Sequence, residues 1–168
     1  HMLARWASEW GGRVFHFSTD CVFSGRRGSY REDDPSDAED LYGKSKYLGE
    51  VAADNALTLR TSIIGRELVE HRSLLDWFLA QRGKTVRGYR RVIYSGLTTV
   101  ELARLVERLI ARETPLSGLY HVAAEPISKL EMRFEIPQSR RSFTPCRRST
   151  QGGRIREFSQ TRISAAGA

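Results

Sequence analysis

A chain of 168 residues can bury one sizeable core, and 40% hydrophobic with 28% charged residues is ordinary for a globular protein. No run of about 18 apolar residues occurs, so no helical membrane span is expected, and no basic segment followed by an apolar stretch opens the chain, so a reducing, cytoplasmic setting is expected. The net charge of +7 is unevenly spread: residues 1–132 carry 19 Lys+Arg against 18 Asp+Glu, and residues 133–168 carry 8 Arg against Glu135 and Glu157. The body is balanced, and a nucleic-acid partner is not expected.

In chain order, "LARWASEW" has helical spacing with Leu3, Trp6 and Trp10 on one side, and Gly11-Gly12 is a natural stop. "RVFHFS" (Arg13 to Ser18) alternates β-branched and aromatic residues and reads as a strand. A long polar segment, "TDCVFSGRRGSYREDDPSDAED", follows; loops of this length inside a domain are uncommon and usually functional or disordered. "YGKSKYLGEVAADN" resumes helical spacing, and "ALTLRTSII" gives a second strand of buried type. "SLLDWFLAQRG" reads as an amphipathic helix ending at Gly83, with "KTVRG" and "RVIYSG" as short strands. "TTVELARLVERLIARE" is a helix capped by Thr98 or Thr99, with Leu102, Leu105, Val106 and Leu109 as its buried stripe. "GLYHVA" is a further strand, and "EPISKLEM" begins another helix. Strands alternating with helices predict an α/β fold around a parallel sheet.

From Arg133 onward there is no Leu, Val, Lys or Asp, and no period is sustained. A basic tail, an irregular terminus and non-native coding, such as a frameshift in a GC-rich gene, compete; the last accounts best for Arg, Ser and Gly replacing Leu and Lys. The expected divisions are 1–66, 67–132 and 133–168. Cys21 and Cys146 form neither a metal-ligand nor a redox spacing, and no His, Cys, Asp or Glu set has metal spacing. Cys21 reads as a small packing residue, His16 and His121 as packed or edge histidines, and Trp77-Phe78 as helix packing. Arg26-Arg27 reads as a solvated loop tip, and the acidic run Glu32 to Asp40 as a solvated loop face.

The chemistry gathers around two segments. "FSTD" ends the first strand, and "YGKSK" opens the following helix. Ligands of open parallel sheets bind beyond the carboxyl ends of strands, where Ser18, Thr19 and Asp20 lie. Tyr42 and Lys46, four apart, share one helix face, although that spacing arises freely by chance. Together these residues supply a hydroxyl, a carboxylate, a phenol and an ammonium, a set suited to carbonyl reduction. The developing alkoxide needs a proton and hydrogen-bond donors, and a cation one turn from a tyrosine favours its phenolate.

The block "STDCVFSGRRGSYREDDPSDAEDLYGKSKYLGE", with "LRTSIIG" and "GLTTVELARLV" after it, resembles the extended short-chain dehydrogenase/reductases, and within them the dTDP-4-dehydrorhamnose reductase branch. The resemblance covers about residues 1–132. It implies the last strands of a Rossmann-type parallel sheet with a small carboxy-terminal substrate-binding region. It also implies Tyr42 as proton donor, Lys46 as its tuner and ribose holder, and Thr19 and Asp20 at the sugar's keto group and neighbouring hydroxyls. Tyr42 and Lys46 would then be both catalytic and cofactor-binding. The implied cofactor is NADPH or NADH, and the implied substrate a nucleotide-linked 4-keto-6-deoxy sugar.

Two departures matter. No glycine-rich dinucleotide fingerprint follows a strand anywhere in the sequence, so the chain reads as a carboxy-terminal portion of a longer reductase, inactive alone, whose first strand lacks its inner neighbour. Ile63 stands where rhamnose-forming members often carry a tryptophan lining the sugar pocket, which widens the candidate substrates. A nucleotide-sugar epimerase or dehydratase, and a non-catalytic regulatory subunit on the same scaffold, remain the alternatives. Self-association into a homo-oligomer stays open.

Overall fold

The computed structural model describes residues 1–69, 73–81 and 84–130, together with the backbone of a strand at 162–165. Helix α1 (Met2–Glu9) is followed by Trp10 as C-cap and by Gly11 at a φ of 65°. That left-handed turn, free of steric cost only for glycine, lets the Gly12 amide reach back to the Ala7 carbonyl at 2.8 Å. Leu3, Trp6 and Trp10 face outward, at 68%, 62% and 78% exposure. The helix instead meets the rest of the fold through Ala4, its one buried residue, whose carbonyl accepts from Asn55 Nδ2 at 2.8 Å. A small residue brings the backbone close, and Val51 and Ala56 complete that cluster with Val14 and Ala53 at its rim.

Strands β1 (Val14–Ser18) and β2 (Ala56–Thr61) pair in parallel; β1 matches the predicted strand to within one residue, whereas β2 stops three residues short of the predicted end, because Ile63 and Ile64 form a separate short strand. Every residue of β2 is buried. Between them run a 3-10 turn (Asp20–Val22) and helix α2 (Leu41–Leu48), the latter capped by Asp40, whose carboxylate accepts from the Gly43 amide at 2.7 Å. Two short strands, β3 (Ile63–Ile64) and, beyond helix α3 (Leu74–Ala80), β4 (Ile93–Tyr94), lead into β5 (Leu97–Thr98), which pairs in parallel with β3. Helix α4 (Thr99–Ile110) takes Thr98 as its cap, with the hydroxyl accepting from the Glu101 amide at 3.1 Å.

Strand β6 (Gly118–Ala123) pairs in parallel with β2, so the sheet runs β1-β2-β6, with β8 (Arg162–Ala165) antiparallel on the outer side of β6. Residues i and i+2 of β2 face one side: Leu57 and Leu59, with Val122, pack against Leu105 and Leu109 of α4 and against Leu97. The other side carries the Ala4 cluster. The sheet is therefore covered on both faces, as a parallel sheet requires. Among the described residues β1 ends the sheet, as expected, and its Phe17 is 40% exposed.

Three local readings differ from the sequence expectation. "KTVRG" forms no strand; "RVIYSG" yields β4 and the approach to β5. "EPISKLEM" does open a helix, at Lys129, but a short strand comes first: β7 (Ile127–Ser128), antiparallel to β4, with Lys129 N donating to the Val92 carbonyl at 2.8 Å. Helix α3 ends at Ala80, because Gln81 already caps it; Gly83 lies outside the described residues. The tail beyond 130 also lies outside them apart from β8, a strand where no period is legible in the sequence. Among the described residues no helix is long and apolar enough to cross a membrane.

Candidate active site

Thr19 leaves the sheet at the carboxyl end of β1 in extended conformation, and its hydroxyl caps the 3-10 turn by accepting from the Cys21 amide at 3.2 Å. The same hydroxyl lies 3.3 Å from Asp20 Oδ1, its acceptor. Thr19 is 6% exposed, whereas Asp20 is open to solvent.

The long polar segment that follows is closed on itself. Asp37 accepts from the Ser24 amide at 2.7 Å, the Ser24 hydroxyl at 2.6 Å and the Tyr30 hydroxyl at 3.0 Å. These bonds, the Ser24 hydroxyl foremost, hold the Asp37 carboxyl below its usual range. Asp34 accepts from the Arg31 amide and from the Arg27 guanidinium, and is lowered in the same way, chiefly by the amide. Phe23 and Tyr30 stack with centroids 4.3 Å apart. The acidic run is thus turn-forming rather than merely solvated. Glu32 within it is buried, with Oε1 accepting from the His121 amide at 2.9 Å. The Arg26-Arg27 tip is paired as well, to Glu39 and Asp34.

Helix α2 sits directly on the 3-10 turn, and Gly43 is the reason it can. A Cβ there would stand 2.2 Å from the Cys21 carbonyl oxygen and 2.8 Å from Ala38 Cβ. Tyr42 is the adjacent residue, 55% exposed. One turn on, Lys46 Nζ donates to the Phe17 carbonyl at 2.7 Å, so the ammonium is tied to the strand just before Ser18 and Thr19. The elements carrying Thr19, Asp20, Tyr42 and Lys46 therefore meet at the carboxyl end of β1, as the sequence predicts. Ile63 lies past the end of β2 at that same end of the sheet, 55% exposed, on β3.

Below this surface lies a buried charged cluster that the sequence reading missed. Register places Ser18, Arg60 and His121 in one row across β1, β2 and β6. Arg60, 4% exposed, forks onto Glu50, with Nε to Oε1 at 2.7 Å and Nη2 to Oε2 at 2.8 Å. Ser18 Oγ donates to Glu50 Oε1 at 2.6 Å. Arg60 Nη1 lies 3.3 Å from the Glu32 carbonyl and 3.2 Å from His121 Nε2. Since guanidinium only donates, that imidazole nitrogen accepts, and the ring proton sits on Nδ1. Burial, with Arg60 adding to it, lowers the His121 pKa despite the opposing pull of Glu32. The available signal was Arg60 itself: an arginine inside the otherwise uncharged strand "ALTLRTSII" requires a buried acid.

The buried Tyr94 hydroxyl on β4 has no hydrogen-bond partner among the described residues. Burial, then the nearby charge of Asp20, raises its pKa.

A nicotinamide cofactor fits this surface in part. An ammonium offers three donors and Lys46 shows one in use, which with the exposed Tyr42 phenol suits a nicotinamide ribose. The pyrophosphate end finds no glycine-rich turn at a helix start in this sequence.

The family described as the RmlD substrate binding domain matches residues 1–151, past residue 132, where the motif resemblance stops. The chain is 36% identical over 122 residues to the spore coat polysaccharide biosynthesis protein SpsK of Bacillus subtilis, covering 67% of this chain and 41% of that protein. It is 31% identical over 140 residues to a dTDP-4-dehydrorhamnose reductase of Aggregatibacter actinomycetemcomitans, covering 74% and 45%. It is also 32% identical over 158 residues to the methionine adenosyltransferase 2 subunit beta of Danio rerio, covering 83% and 49%. Among solved structures, a dTDP-4-dehydrorhamnose reductase of Bacillus anthracis in complex with NADP superposes with a TM-score of 0.64 at 26% identity, over 77% of this chain and 48% of that one. The chain thus spans less than half the length of each of these relatives, and it belongs to the RmlD substrate binding domain family.

Proposed function

We propose that this chain carries the proton-donating and sugar-binding part of an NAD(P)H-dependent reductase acting on a nucleotide-linked 4-keto sugar, in the synthesis of a surface polysaccharide. The observation that supports it most is the seating of α2 on the turn after β1. Gly43 against the Cys21 carbonyl, and Lys46 on the Phe17 carbonyl, seat the helix that carries Tyr42 against the strand end that bears Thr19 and Asp20. The reductases among its relatives, one of them bound to NADP, support the same reading.

The cofactor, when bound, supplies the hydride. Tyr42 gives its proton to the carbonyl oxygen as the carbon accepts that hydride, and solvent returns the proton to the phenolate. Lys46 stabilises the phenolate and turns its spare donors toward the ribose. Asp20 faces the hydroxyl beside the keto group, and Thr19 exchanges its bond to Asp20 for one to the keto oxygen. Ile63 presents an aliphatic wall to the sugar. The division into 1–66, 67–132 and 133–168, a cytoplasmic setting and a choice between NADPH and NADH belong to the same proposal. With no matching pyrophosphate turn in its sequence, the 168-residue chain by itself is expected to hold dinucleotide weakly and to reduce nothing.

The test is turnover of nucleotide-linked keto sugars with NADPH or NADH by the complete gene product, alongside the 168-residue chain. Tyr42→Phe is expected to lower kcat by about a hundredfold or more with the fold intact. Turnover that survives this change sinks the assignment. A second reading, a non-catalytic subunit, rests on the likeness to the Danio rerio subunit; capture of a partner enzyme by a gene product with no turnover of its own favours it.

A further inference from the structure

We infer that Glu50 and Arg60 are positioning residues of this proton-donor site: their buried ion pair holds the helix of Tyr42 and Lys46, the end of β1 and the 20–40 loop in one arrangement. The inference rests on the reductase reading for its catalytic meaning, and on geometry for its substance.

Glu50 follows directly on Gly49, the cap of α2, one turn beyond Lys46. The two reach consecutive residues of β1: Lys46 Nζ the carbonyl of Phe17, Glu50 Oε1 the hydroxyl of Ser18, next to Thr19. The carboxyl end of α2 is thereby fastened to the strand end at two points. Arg60 fixes Glu50 in turn, because a two-pronged guanidinium–carboxylate pair allows little rotation. The same guanidinium lies over the ring of Phe23 from the loop, at 5.1 Å, and of Tyr47 from α2, at 6.0 Å. Beyond Phe23 stack Tyr30 and then Arg27, whose guanidinium lies 4.9 Å from the Tyr30 ring. Arg60 also meets the Glu32 carbonyl and His121, and the His121 amide is bonded to the Glu32 carboxylate. One side chain thus touches helix, loop and β6, and reaches β1 through Glu50.

Stability alone gives weak grounds for such a cluster. Desolvating a buried ion pair commonly cancels its attraction, and apolar replacements of similar size are often neutral. What an apolar pair cannot supply is direction: the fork, the Ser18 bond and the two ring faces all define where α2 stands relative to Thr19. A lysine at 60 keeps the charge and loses the fork.

The decisive variants are the double apolar replacement Glu50→Leu/Arg60→Met, and Arg60→Lys. In the complete gene product the double variant is expected to melt close to the parent yet lose about ten- to a hundredfold in kcat, with KM for the keto sugar changed far less. Arg60→Lys is expected to recover little of that loss. Unchanged kcat in a folded double variant overturns the inference, as does full rescue by lysine or a loss that merely follows the melting temperature. If the parent turns nothing over, the reductase reading fails, and amide exchange in the 168-residue chain decides the positioning claim. Exchange at Ser24, Arg31 and His121, whose amides the loop carboxylates hold, should then rise about tenfold in the double variant while Leu105 and Leu109 stay as in the parent. Equal exchange at all five overturns it.

Discussion

Gly43 shows how much a single position can carry. Its lack of a side chain lets α2 lie against the backbone of the 3-10 turn, and the nearest obstacle to a Cβ is a carbonyl oxygen, which cannot rotate away. Gly43→Ala is therefore expected to cost about 1–3 kcal/mol, as other overpacked sites do, and to push Tyr42 away from the strand end. Thermal unfolding and turnover measured together check this; an alanine variant with the parent's melting temperature and kcat would show that the close approach does not matter. The sequence displays Gly43 only as one letter between Tyr42 and Lys44. Helix propensity argues against glycine there, and that local penalty is intelligible only once the partner carbonyl is known.

Among the elements, the 20–40 loop changes most between sequence and structure. Its composition suggests a solvated excursion, but Asp37, Asp34 and Tyr30 close it locally, and Glu32 inserts beneath it toward β6. Such bonds are invisible to periodicity because they join side chains to backbone at irregular spacing. The loop, β1 and β6 also give the protein a pH response. His121 and His16 both titrate below the ordinary histidine value of 6.5, in each case chiefly through burial. As pH falls, the unfolded chain binds these protons first, so stability is complete above about 6.5 and declines below it, through the lowered folded values. The carboxyls of Asp34 and Asp37, lowered in the folded state, add a second loss as pH falls below about 3.8. Melting temperatures recorded from about pH 8 down to about pH 5 should decline below 6.5. A flat profile contradicts burial of neutral imidazoles, and His121→Gln should flatten part of the slope.

At the scale of the whole molecule, one side of the sheet is held by α4 on Leu57, Leu59 and Val122. Leu59 is 1% exposed, and Leu59→Ala is expected to cost about 2–5 kcal/mol in chemical denaturation, the range for a buried leucine leaving a cavity. A loss under about 1 kcal/mol would mean that this core is looser than its burial indicates. The outer side of β1 is the opposite case. Among the described residues no strand covers it, and with Phe17 part-exposed this predicts concentration-dependent association of the 168-residue chain, read by sedimentation. Phe17→Lys should weaken it, since a charge on an edge strand opposes pairing.

The sequence by itself determined the alternation of strand and helix, the ends of β1 and β6 and the start of β2 to within a residue, a threonine cap at Thr98 or Thr99, and the family to which the motifs point. These are local properties: period, capping chemistry and ordered motifs are written in consecutive residues. Only the tertiary structure decided that the large face of α1 points outward, that Ile127-Ser128 pairs with β4 before the helix at Lys129, and that Glu50, Arg60, Glu32 and His121 form one buried cluster. The physical reason is the same each time. Burial and ion pairing depend on which distant segment lies opposite, and the arginine in β2 could announce that it needed an acid but not which of the chain's many acids would answer.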